Sequence, residues 1–126
     1  MASTLPWERV RILLLAANQG AAEAATSLLE ETGARLLRAS SWPAAVVLLS
    51  DVRVDAVLAL DGGLELAALD LVRRLRALPP PRGGSTPLVL LTLDELPASA
   101  DDRTWTVRPT ALETMLATLQ RAAHMP

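Results

Sequence analysis

Cysteine, phenylalanine, tyrosine and lysine are missing from this chain of 126 residues, and histidine occurs once, at His124. Without cysteine there is neither a disulfide nor a thiolate metal ligand. A lone histidine close to the end of the chain leaves no histidine-based catalytic triad and no multi-histidine metal site. Three tryptophans are the only aromatic residues, so the core has to be aliphatic, built from leucine, alanine and valine. No apolar run approaches the roughly 20 residues of a membrane-spanning helix, because charges or turn residues interrupt each one. Residues 1–8 lack the basic and then apolar order of a secretory signal, and a cytoplasmic location with no membrane contact is expected.

Charge excess is also lacking. The formal net charge is −2, which gives no field to hold nucleic acid. All twelve basic residues are arginine, which reads as compositional bias from a GC-rich genome, with adaptation to heat as the alternative. Neither G-x-x-x-x-G-K-[ST] nor G-x-G-x-x-G occurs, and Gly62-Gly63 and Gly83-Gly84 read as turns. The carboxylate pairs Glu30-Glu31 and Asp101-Asp102 read as solvated. No enzyme, cofactor or metal is expected. The length fits a single domain, residues 1–126 with a core over about 10–123.

What is present is alternation. Short apolar runs at Val10–Leu15, Ala34–Ala39, Val54–Leu60, Pro87–Thr92 and Thr104–Val107 read as strands. Arg35 and Arg38 interrupt the second run, which places it nearer a sheet edge. Between the runs lie helical patterns. The first starts at Ala21, with Ala21, Ala24, Ala25, Leu28 and Leu29 on one face, and Gly33 takes the positive φ at its end. The second follows Ser41 as cap, with Pro43 in its first turn, and runs to Ser50. The third spans Leu64–Leu78, with Leu64, Ala68, Leu71, Leu75 and Leu78 inward, and stops at Pro79-Pro80-Pro81. The last covers Thr110–Ala123, with Leu112, Met115, Leu116 and Leu119 inward and Thr110 and Glu113 as a capping box. Residues 93–103 are acidic, broken by Pro97, and weakly periodic.

This order predicts an α/β fold, a doubly wound parallel sheet with helices on both faces. Ligands in such folds bind at the carboxyl ends of the strands. The residues to inspect are therefore Ala16, Ala17, Leu60, Asp61, Thr92 and Arg108.

The run Ile-Leu-Leu-Leu before Ala16-Ala17, the stretch from Asp55 to Arg76, Pro87-Leu-Val-Leu-Leu-Thr92 and Trp105-Thr-Val-Arg108-Pro109 resemble the receiver domain of bacterial response regulators. The resemblance covers about residues 10–123. It implies the flavodoxin-like (CheY-like) fold with five strands in the order 2-1-3-4-5. The chain has fewer residues between Thr92 and Arg108 than the family, so the helix there is expected to be shortened or lost. That would widen an apolar surface around Leu93, Leu96 and Trp105.

Receivers place two acids after the first strand to hold magnesium, where this chain has Ala16 and Ala17. Counted from Asp55, the phosphoacceptor position falls on Leu60. Asp61 reaches it only by a one-residue slip of the strand, or by a bend at its end. Thr92 matches the switch hydroxyl, Trp105 the switch aromatic and Arg108 the lysine, and the resemblance implies a cis peptide before Pro109. The expected function is that of a pseudo-receiver without the phosphorylation pocket, binding another signalling protein or domain. Strand 5 and the last helix would be the contact face, and a homodimer there is compatible with the resemblance. Two alternatives stand beside it: a phosphoacceptor with a rearranged site at Asp61, and a small-ligand sensor using a cleft lined by Ala16, Ala17, Leu60 and Thr92.

Overall fold

Five parallel strands form one sheet in the order β2-β1-β3-β4-β5, as expected. The computed structural model describes residues 10–17, 19–60, 67–82, 84–92, 103–108 and 111–123. The strands are β1 (Arg11–Leu15), β2 (Arg35–Ala39), β3 (Ala56–Leu60), β4 (Leu88–Leu91) and β5 (Thr104–Val107). The helices among the described residues are α1 (Gln19–Thr32), α2 (Trp42–Asp51), α3 (Ala68–Arg76) and α4 (Leu112–Ala123).

The pleat sorts the apolar runs onto two faces. Ile12 and Leu14 of β1, Ala56, Leu58 and Leu60 of β3, and Val89 and Leu91 of β4 pack with Ala22, Ala25 and Leu29 of α1 and Met115 and Leu119 of α4. Leu13, Leu15, Val57, Ala59, Leu88 and Leu90 face the other way, onto Ala45 and Leu49 of α2 and Leu71, Val72 and Leu75 of α3. Every residue of β3 is buried, as its unbroken apolar sequence requires. Each fully buried leucine contributes about 2 kcal/mol. β2, with its two arginines, is an edge strand.

The helix ends follow local chemistry. Ser41 caps α2, its hydroxyl accepting from the Ala44 N–H (3.3 Å), and Pro43 occupies the first turn. Gly33 has φ 87° after α1, where a side chain would be strained. The start of α3 and the inward face of α1 differ from expectation, and α1 begins at Gln19 instead of Ala21. Ala67 is extended, with no side-chain cap, so α3 begins at Ala68. Residues 64–66, expected to open that helix, lie outside the described residues. The inward face of α1 is centred on Ala22, Ala25, Thr26 and Leu29, and Ala24 is exposed. A run of alanines has nearly equal hydrophobicity all round and cannot set the rotation of its helix.

Arg76 ties the end of α3 to the start of the last two strands. Its Nη1 donates to the Thr86 carbonyl, and its Nη2 donates to the Arg103 carbonyl (2.9 Å) and to Thr104 Oγ1 (3.2 Å). The expected Thr110 cap, the expected shortening or loss of the helix after Thr92 with an apolar surface at Leu93 and Leu96, and the expected cis peptide at Arg108–Pro109 all concern residues outside the described ones.

Candidate functional site

The strand register brings the carboxyl-end residues into rows. Leu15 pairs with Ala59, Leu60 with Leu91, and Leu91 with Val107. The next position on β1 is Ala16, so Ala16, Leu60, Leu91 and Val107 lie across the sheet in one row. All four are buried in the cluster under α1 and α4. Ala16 also donates its N–H to the Ala39 carbonyl of β2 (3.0 Å).

One residue further along, Ala17 is half-buried against the opposite cluster, and Thr92 is buried. The Thr92 N–H continues the β4–β5 ladder by donating to the Val107 carbonyl (3.0 Å). Arg108 is exposed and makes no hydrogen bond through its guanidinium to a described residue; its carbonyl accepts from the Ala111 N–H (2.9 Å). Asp61 and Pro109 lie outside the described residues. β3 runs from Ala56 to Leu60 in the frame counted from Asp55. Asp55 holds that frame at the opposite end, its Oδ2 accepting from the Arg11 N–H (2.8 Å) while its own N–H donates to the Arg11 carbonyl (2.8 Å).

Trp105 pairs with Val89 across β4–β5 and is half-buried against the α1 and α4 cluster. Its ring is therefore partly covered by the core and partly open to solvent, as suits an amphipathic side chain.

The side chains of Ala16, Ala17 and Leu60 offer no oxygen. Magnesium takes oxygen ligands in a near-octahedral set and favours carboxylates, so the described residues at this end do not fit that ion. Among the described residues, no group of three or more histidine, aspartate or glutamate side chains is placed to hold a metal.

A cavity of about 270 Å³ lies at the same end but toward the β2 edge, lined by Leu14, Ala16, Ala22, Arg38, Ala39 and Ser40. It shares only Ala16 with the expected cleft of Ala16, Ala17, Leu60 and Thr92. Arg38, Ser40 and Ala22 were therefore missed as lining residues. The signal was the polar Ser40-Ser41 pair ending the second strand, because the rule that strand ends form sites applies to edge strands too.

The topology defines the class: this is the CheY-like fold found in receiver domains. Comparison with solved structures agrees. The chemotaxis response regulator CheY4 of Vibrio cholerae superposes with a TM-score of 0.73 at 20% identity, over 90% of this chain and 98% of that one. The receiver domain of the sensor histidine kinase PA1611 from Pseudomonas aeruginosa, a structure with a magnesium ion in its active-site cleft, gives 0.75 at 22% identity, covering 92% and 98%. The signal receiver domain of a histidine kinase from Syntrophus aciditrophicus gives 0.75 at 22%, covering 90% and 89%. No protein-family model matches the sequence, and no curated protein matches it. No helix among the described residues is long and apolar enough to cross a membrane.

Proposed function

We propose that this domain is a pseudo-receiver: a receiver-type module without the phosphoryl-transfer pocket, acting in the cytoplasm as a protein-interaction domain of bacterial two-component-type signalling. One observation carries the reading. The row that ends β1 and β3 is Ala16 beside Leu60, both buried and apolar, where the receivers it resembles carry the acids that hold magnesium and accept the phosphoryl group. An alkyl side chain has no lone pair to coordinate the metal and no carboxylate to form the acyl phosphate.

The partner is another signalling protein or domain, or a second copy of this chain, met through β5 and α4. Half-buried Trp105 supports that face. Pull-down with the parent chain and Trp105→Ala as paired baits should lose the partner in the variant.

Incubation with acetyl phosphate and magnesium tests the central claim. Intact-mass spectrometry should show an unmodified chain, and tryptophan fluorescence should not respond to a magnesium titration. A stoichiometric phosphoryl adduct at Asp61 would return the domain to the conventional phosphoacceptors. A ligand-sensing role has the cavity at Ala16, Arg38 and Ser40 in its favour, and a thermal shift in a metabolite screen would support it.

A further inference from the structure

The ends of the strands opposite the candidate site carry unpaired positive charge. Arg11 opens β1 and Arg35 opens β2, and the two are register partners. Partners on neighbouring strands, which lie about 4.8 Å apart, project to the same face of the sheet. Arg53 leads into the same corner, two residues before Asp55, whose N–H meets the Arg11 carbonyl (2.8 Å). All three arginines are exposed, and among the described residues none forms an ion pair or a guanidinium hydrogen bond.

Arg74, Arg82 and Arg121 continue the positive charge along this end from α3, the turn after it and the last turn of α4. Among the described residues the carboxylates here are Glu30, Glu31, Asp51 and Asp55. Asp55 accepts from the Arg11 N–H (2.8 Å), and none of the four forms an ion pair with an arginine among the described residues.

The helix dipole accounts for cations in the last turns of α3 and α4. It does not account for Arg11, Arg35 or Arg53, which open strands or precede one. Like charges at register positions repel, so the fold would be no worse with neutral residues there.

We propose that this face docks an acidic segment of a partner protein. The planar guanidinium fork matches carboxylates in a bidentate manner, and two forks side by side suit adjacent acidic side chains. A nucleic acid fits less well. The net charge of −2 repels a long polyanion at a distance, and no aromatic register neighbour flanks Arg11 or Arg35 for bases to stack on. A lipid surface would need apolar side chains to enter it, but Val10, Ala34 and Val54 beside these arginines are buried. The inference is independent of the pocket at the other end: an adduct at Asp61 would overturn the pseudo-receiver reading and leave this face unaffected.

The test is a titration of isotope-labelled protein with a decaglutamate peptide at low ionic strength, read from backbone amide resonances. Shifts should concentrate at the starts of β1 and β2 and at Arg53, and should weaken as salt is added. The double variant R11Q/R35Q should bind about tenfold more weakly or worse. It should unfold at the same temperature as the parent or higher, because a repulsive pair has been removed. Unshifted resonances in the parent, equal shifts in parent and variant, or tighter binding of a DNA duplex or phosphatidylserine vesicles through the same arginines would each overturn the proposal.

Discussion

Replacing Arg76 tests how the end of the fold opposite the candidate site is held together. Its guanidinium spans three segments that are far apart in sequence: the end of α3, the turn at Thr86 and the start of β5. A hydrogen bond from a charged donor contributes about 1.5–3 kcal/mol. The bonds to the Thr86 and Arg103 carbonyls are short enough to count in full. Those to Thr104 Oγ1 (3.2 Å) and the Gly84 carbonyl (3.5 Å) add little. Arg76 is half-buried, and solvent screening roughly halves the sum, leaving ~2 kcal/mol. For a chain of this size that corresponds to a fall of ~8 °C in Tm.

Arg76→Ala and Arg76→Met should both lose this amount in urea and thermal unfolding, because methionine keeps the apolar stem but not the donors. Arg76→Lys should recover less than half, since a single ammonium cannot reach carbonyls on both sides of a planar fork. Full rescue by lysine, or a methionine variant as stable as the parent, would refute the clamp.

Gly84→Ala should destabilise by about 1–3 kcal/mol in urea unfolding, because a Cβ there would sit 1.9 Å from the Leu78 carbonyl oxygen and the turn would have to move. Leu60→Ala should lose about 2–4 kcal/mol with an unchanged urea m-value. A near-neutral result would mean that Leu60 lines an open cleft rather than the core.

Much of the fold was legible because its signals are local. The run Val54–Leu60, apolar but for Asp55, read as a strand, and β3 within it is buried throughout. Arginines at 35 and 38 marked an edge, and β2 is one. Ser41 read as a cap and is one. Signals failed where residue types did not discriminate. The alanines of α1 could not fix its rotation, and the leucines before Ala67 continued the spacing of α3 past the point where the backbone turns extended. At the candidate site, the residue types at 16, 17, 60 and 92 were readable from the strand ends. The cavity beside Arg38 and Ser40 was not, since its walls come from two strands and the start of a helix.

Composition settled which side chains are to hand: aliphatic residues for the core and no thiol. Those are properties of individual residues and need no partner. Packing alone decided which residues became neighbours. Leu60 lies against Leu91, Arg11 beside Arg35, and Arg76 against the start of β5. The physical reason is that hydrophobic period is a short-range property of the chain. Register between strands separated by a helix is set only when both faces of the sheet are covered and every backbone N–H has found its carbonyl.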